Sequence, residues 1–181
     1  MLAKFTLILA VIIGFNSYGV SQEICRRTLE EAPSVFGLKL GMTFEQMQGV
    51  LGNSFKFKPK KTGEGSYFQN FIDRPSPAAI PGVRAFYLRF FDQKLYQIEI
   101  FFEDKGNPPS LQDFLAGLSV DLGIPPSRWV IKDGKAQMNC GDFVVEADVP
   151  LNPRLQITDR VAASDFAKKL VDAKQPKKKP G

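Results

Sequence analysis

Residues 83–102, VRAFYLRFFDQKLYQIEIFF, decide the fold of this chain of 181 residues. Residues 83–91 and 95–102 are rich in aromatic and β-branched side chains, which favour strands. The intervening residues 92–94, DQK, form a short polar break between two apolar runs. This pattern predicts a β-hairpin.

The second strand of this hairpin alternates apolar and polar side chains, with a period of two residues. Such alternation is typical of a strand with one buried face and one mostly solvated face, as in antiparallel sheets. The apolar set is Tyr96, Ile98, Ile100 and Phe102, and the polar set is Gln97 and Glu99.

A second hairpin is predicted further along the chain. Residues 129–132 (WVIK) and 135–140 (KAQMNC) flank Asp133-Gly134, a pair that favours a type I′ turn because both turn positions need positive φ. Further predicted strands cover residues 143–149, 154–157 and 54–58.

Three helices are predicted. The first begins at Thr43, with Gln46 as its capping-box partner, and ends at Gly52. The second begins at Ser110, with Asp113 in the box position, and ends at Gly123.

The third helix is predicted over residues 160–173, capped by Thr158 or Asp159. The order of elements predicts an α+β domain with an antiparallel sheet of about six strands and helices packed on one face. Each of the first two helices is followed by strands, which is compatible with a tandem helix–sheet duplication or with chance.

Residues 1–21 are expected to be a cleaved secretory signal peptide, because Lys4 precedes an apolar stretch that is too short for a transmembrane anchor. The protein is then secreted or periplasmic. In an oxidising compartment Cys25 and Cys140, the only two cysteines, are expected to form a disulfide, with two unpaired thiols as the alternative.

The chain contains no histidine. Catalytic triads and zinc sites that depend on an imidazole are therefore excluded. No cysteine cluster, Gly-rich phosphate loop or dinucleotide fingerprint occurs, so we predict no cofactor and no metal. We expect a non-enzymatic protein. The alternative is a hydrolase that uses carboxylates, for which Glu146 and Asp148 share one face of their strand.

The net charge of +5 comes from the two ends of the chain. The predicted domain, residues 22–173, holds all 19 acidic residues and an equal number of basic ones, so we expect no nucleic-acid binding. Residues 174–181 form a predicted disordered tail. Its lysines could touch an anionic surface or simply aid solubility; the cluster is Lys177, Lys178 and Lys179.

Residues 59–82 form the longest segment without a secondary-structure pattern. Such segments in compact domains tend to be functional or disordered. Aromatic side chains on a loop can anchor a partner, and the candidate binding residues are Tyr67, Phe68 and Phe71. The alternative is that these side chains cover the core as a lid or form a short strand.

Residues 36–52, FGLKLGMTFEQMQGVLG, contain a "GMT, then LG" helix opening. It resembles that of small bacterial envelope domains of the SmpA/OmlA (BamE) type and of β-lactamase-inhibitor-protein-like modules. The resemblance implies helices on an antiparallel sheet and a role in binding rather than catalysis. We therefore expect an exported binding or envelope-associated module of unknown partner.

Overall fold

The structure is a computed structural model that describes residues 25–52, 63–70, 82–104, 109–149 and 151–174. Four predicted features lie outside these ranges: the signal peptide, the strand at 54–58, Phe71 and the lysines of the tail.

Seven antiparallel strands form one sheet, so the predicted α+β class is confirmed with slightly more strands than expected. The order across the sheet is β1-β2-β3-β7-β6-β5-β4. The strands are β1 (Gly65–Asn70), β2 (Val83–Phe91), β3 (Lys94–Phe102), β4 (Val130–Lys132), β5 (Lys135–Asn139), β6 (Phe143–Asp148) and β7 (Arg154–Asp159), and the helices are α1 (Phe44–Leu51), α2 (Leu111–Leu122) and α3 (Arg160–Lys174).

The predicted helix caps are present. The Thr43 hydroxyl accepts from the Gln46 amide, and the Gln46 side chain accepts from the Thr43 amide at 2.9 Å. Ser110 caps α2 by accepting from the amide of Asp113 at 3.1 Å. Of the two cap candidates for α3, Asp159 is the residue that accepts, from the amide of Ala162 at 2.9 Å.

Both predicted hairpins form with two-residue turns. Asp133 and Gly134 have φ values of 51° and 74°, as a type I′ turn requires. Asp92 and Gln93 also have positive φ, at 49° and 63°. The second pair lacks glycine, so its left-handed conformation was not evident from composition.

One face of the sheet, which we call the core face, is almost completely buried. Phe86, Leu88, Ile98 and Ile100 are each 0% exposed. α1 and α2 pack on this face, where Phe44 contacts Phe90 and Phe114 contacts Phe102 with ring centroids 6.3 and 5.4 Å apart.

α3 packs on the opposite face, which differs from the expectation that all helices share one face. Successive residues of a strand point to opposite sides: Phe90 contacts α1, whereas Phe91 contacts Phe166 of α3, with centroids 5.6 Å apart. The four-residue spacing of Ala162, Phe166 and Leu170 predicts that one side of α3 packs against another element. It does not specify which side of the sheet.

The sheet consists of two meanders, each preceded by a helix. α1 precedes β1–β3, α2 precedes β4–β7, and the last strand of each meander, β3 and β7, pair at the centre. This order agrees with a tandem arrangement. A common origin of the two units remains a prediction.

The predicted disulfide is present and joins Cys25 to Cys140, 115 residues apart. Next to it, the amide of Leu29 donates to Oδ2 of Asp142 at 3.1 Å. The bridge therefore attaches the segment before α1 to the turn between β5 and β6. Within the described ranges, every helix is too short or too polar to cross a membrane.

Candidate binding face

The sheet face opposite the core face carries the candidate site. The strand registers align one residue from each strand in a row that crosses the whole sheet, about 29 Å at the usual strand spacing. This central row is, in sheet order, Phe68, Tyr87, Glu99, Gln156, Glu146, Gln137 and Val130.

Two further rows flank the central row. We call the three rows together the polar face. One flanking row is Ser66, Arg89, Gln97, Thr158, Val144 and Asn139, and the other is Asn70, Ala85, Phe101, Arg154, Asp148, Lys135 and Lys132.

An aromatic pair occupies the β1 end of the central row. Phe68 is 59% exposed, and its ring meets that of Tyr87 edge-on at 6.4 Å. The Arg89 guanidinium lies 4.7 Å from the centre of the Tyr87 ring, within the range of a cation–π contact. The exposed Phe68 ring therefore packs against Tyr87, and Tyr87 is itself in contact with the Arg89 guanidinium.

The aromatic contacts continue from Arg89 to α3. Burial lowers the pKa of the Arg89 guanidinium, but its interactions with the side chains of Tyr87 and Tyr96 outweigh burial and raise that pKa. Tyr96 then contacts Phe166 of α3, with centroids 5.7 Å apart. Burial raises the pKa of Tyr96, with Arg89 acting in the opposite direction.

Tyr96 departs from the predicted alternation. The register shifts so that Gln97 lies opposite Arg89 and Leu95 lies opposite Phe90, which leaves Tyr96 as an extra residue in a β-bulge. Tyr96 therefore contacts α3 instead of sharing the core with Ile98. The prediction placed it on the buried apolar face because it assumed a regular strand.

Gln97 and Glu99 were predicted to be solvated, but they are only 6% and 7% exposed. The Arg154 guanidinium donates to Oε1 of Glu99 at 2.9 Å. The neighbour that buries Glu99 thus comes from β7, far away in the sequence.

Arg154 holds two carboxylates from two other strands. It donates to Glu99 of β3 and, through Nε and Nη2, to Asp148 of β6. The hydrogen bond to Asp148, followed by that to Glu99, raises the pKa of Arg154, while burial opposes the shift. The two ion pairs hold the side chains of Arg154 and Asp148, which belong to one flanking row, at the centre of the sheet.

Glu146 is bound differently. Its carboxylate accepts from the side-chain amides of Gln137 at 3.1 Å and Gln156 at 3.2 Å. The Gln137 oxygen in turn accepts from Asn139 at 2.9 Å. Among the described residues, Glu146 is hydrogen-bonded to amides and makes no ion pair.

The carboxylates of this face are all engaged by neighbouring side chains. Glu99 and Asp148 are ion-paired to Arg154, and Glu146, which is half-buried, is hydrogen-bonded to two amides. The depression beside the disulfide, lined by Cys25, Ile124 and Met138, has no enclosed space that could hold a water molecule, and small-ligand pockets enclose roughly 300 Å³ or more. Within the described ranges, no three acidic or cysteine side chains are grouped to hold a metal ion.

The structure separates the three aromatic residues predicted as binding anchors. Phe68 lies on the polar face. Tyr67 points the other way, packs against the core and donates to Oε1 of Gln69 at 2.7 Å, and burial raises its pKa. Phe71 lies outside the described residues. The segment 59–82 is not free of structure throughout, because residues 65–70 form β1.

Sequence reasoning missed Tyr87, Arg89 and Gln156 as parts of this face. The signal for the first two was present, because they alternate with Phe86, Leu88 and Phe90 along β2. The position of Gln156 required the pairing of β3 with β7.

No protein-family model, curated protein or solved structure was found to match this chain.

Proposed function

We propose that this protein is an exported, non-enzymatic binding module of the bacterial envelope or the secreted space, and that it binds its partner through the polar face. The observation that carries the proposal is the 59% exposure of Phe68 beside a face of ordered polar side chains. A large apolar ring in this setting is typical of the residues that dominate binding energy at interfaces.

The ordered state of the polar face supports the proposal. Tyr87 and Arg89 support the Phe68 ring, and Arg154 and Glu146 hold their neighbours by hydrogen bonds. Side chains that are already fixed lose little conformational entropy when a partner binds. The arrangement therefore favours recognition by a preformed surface.

Two observations support export. The Cys25–Cys140 bridge belongs to the class of cross-links that persist in oxidising compartments. The sequence of residues 1–21 has the order of a signal peptide. The resemblance of residues 36–52 to BamE-like and inhibitor-like modules points in the same direction, towards binding in the envelope.

Site-specific photo-crosslinking tests the proposal. A photoreactive phenylalanine is placed at Phe68, and the mature protein is illuminated in envelope extract. The matched control carries the same group at Val120, which is 82% exposed on α2, on the other side of the sheet. We expect a discrete crosslinked species from position 68 and none from position 120.

A competitor sharpens the assignment. Excess unlabelled wild-type protein should suppress the crosslink, whereas excess Phe68→Ala protein should suppress it at least tenfold less effectively, because truncating an anchor ring costs more than about 1.4 kcal/mol of binding. Equal crosslinking from positions 68 and 120 would refute the proposal.

A further inference from the structure

α3 is the least buried of the three helices. None of its described side chains is buried, and the side turned to the sheet offers Ala162, Ala163 and Phe166, each half-buried. α2, a helix of similar length, buries Leu115 and Leu118 on the core face. Because apolar burial is the main term that holds packed elements together, we expect α3 to be docked less tightly than α2.

Among the described residues, Phe166 and Lys169 attach the middle of α3 to the sheet. Phe166 packs on Phe91 and Tyr96, with ring centroids 5.6 and 5.7 Å away. Lys169 forms an ion pair with Glu64 and lies 5.6 Å from the centre of the Phe91 ring. The Lys169 side chain is 53% exposed, and such exposed pairs contribute little because water and salt screen them. Apolar attachment therefore depends mainly on the Phe166 ring.

The sheet surface against which α3 packs is partly polar. α3 contacts β2, β3, β6 and β7, and the first three strands of the sheet centre contribute Arg89, Gln97 and Thr158 to one flanking row. Gln97 is 6% and Thr158 is 9% exposed, and Nε of Arg89 is buried without a hydrogen-bond partner in the described part of the chain. A buried donor without a partner costs free energy that contact with water recovers. This cost opposes the docking of α3.

The first turn of α3 is held more firmly. Asp159 caps the helix by accepting from the amide of Ala162 at 2.9 Å, and the amide of Arg160 donates to the carbonyl of Asp142 at 2.9 Å. These bonds keep the start of the helix at the turn between β5 and β6. A helix of 15 residues is only marginally stable by itself in water, so a detached α3 would also lose its internal hydrogen bonds.

We infer that α3 is a displaceable cover of the polar face: beyond Arg160 it detaches as a unit and loses its helical structure while the seven-stranded sheet stays folded. Detachment uncovers Phe91 and Tyr96 and extends the surface that begins at Phe68. The inference goes beyond the proposed function and does not depend on it, because the opening takes place in the protein without a partner.

Native-state amide hydrogen exchange of the full mature protein, followed by mass spectrometry, tests the inference. We expect the amides at the centre of α3, residues 164–170, to exchange at least about 100-fold faster than those of α2 and β3, because a local opening costs less than global unfolding. Low concentrations of urea should accelerate exchange steeply in β3 and only slightly in α3, since one detached helix exposes little surface. α2 is the matched control helix.

Two lysine variants distinguish detachment from fraying within the helix. Lys169→Gln removes the ion pair with Glu64 and the contact with Phe91, and should accelerate exchange throughout residues 164–170 about fivefold. Lys168→Gln removes an ion pair with Asp165 inside the same helix and should accelerate it by about twofold or less. Neither variant should alter exchange in α2.

The outcomes separate this inference from the proposed function. If the central amides of α3 exchange as slowly as those of α2, the inference is overturned. It is also overturned if Lys169→Gln accelerates exchange in α3 no more than Lys168→Gln does. In both cases the proposed function is still decided by the crosslink at position 68. Fast exchange in α3 without a specific crosslink at that position overturns the proposed function alone.

Discussion

The two faces of the sheet are built from the same strands but are held by different forces. On the core face, Phe86 and Phe143 are 0% exposed and are held by apolar burial. On the polar face, Phe68 is 59% exposed, and its neighbours are held by an ion-paired cluster and a chain of amide hydrogen bonds. Apolar burial is the dominant stabilising term in folding, so the core face should determine stability and the polar face should determine recognition.

Truncation of a core-face ring gives the largest expected effect. Phe86→Ala removes a fully buried ring beside Phe36 and should cost about 3–5 kcal/mol of unfolding free energy, since the cavity cannot close completely. Urea denaturation followed by tryptophan fluorescence measures the loss. A cost below about 1 kcal/mol would contradict the assignment of this face as the core.

The disulfide is the next strongest constraint on the core-face side. Both cysteines are buried in the core cluster, and the bridge closes a long loop in the unfolded chain. The double variant Cys25→Ala/Cys140→Ala should lose about 2–4 kcal/mol. Wild-type protein unfolded with and without reductant provides the control. An identical urea midpoint in both states would show that the bridge does not stabilise the fold.

Arg154→Met tests the ion-paired cluster on the polar face. It leaves Glu99 and Asp148 close together without their shared cation and should cost about 1–3 kcal/mol, less than a fully buried pair because Arg154 is 27% exposed. Combining it with Glu99→Met and Asp148→Leu should restore most of the stability. If the triple variant is no more stable than Arg154→Met, charge repulsion is not the cause.

Loss of a helix cap is a smaller effect. Ser110→Ala removes the acceptor for the amide of Asp113 and should destabilise α2, and with it the core face, by about 1 kcal/mol. Ser127→Ala, at an exposed position after α2, is the matched control and should leave the melting temperature unchanged. Equal shifts in the two variants would rule out the cap as the cause.

Phe68→Ala should have the smallest effect on stability. The ring is mostly exposed, so the free energy of unfolding should change by less than about 0.5 kcal/mol, in contrast to the same substitution at Phe86. Partner capture should nevertheless be lost. If Phe68→Ala destabilises the protein as much as Phe86→Ala, the ring is part of the core and the functional division between the two faces is wrong.

Local features of the fold were predictable because local residues specify them. The caps at Thr43 and Ser110 involve residues three positions apart, and the Asp133-Gly134 turn depends on its own two residues. With only two cysteines, the bridge had one possible intramolecular pairing. Phe68 was named as a candidate from its aromatic character, although its segment was expected to lack structure and in fact contains β1.

The composition of the candidate site was not predictable to the same extent. Glu99, Gln156 and Glu146 become neighbours because β3 pairs with β7 and β7 with β6. The bulge at Tyr96 also depends on a partner strand, since it appears as a shift in the register with β2. Alternation within one strand predicts which residues share a face, but it does not predict which strand lies beside it.

The sequence by itself determined the α+β class, the three capped helices, the two hairpins and the pairing of the two cysteines, because contacts within a few residues or a single possible pairing specify each of them. The tertiary structure alone decided that α3 lies opposite α1 and α2, that Arg154 buries Glu99, and that one row of side chains runs from Phe68 to Val130. These features depend on the registers between β3, β7 and β6, whose members are distant in the chain. A register is set by the packing of the whole sheet.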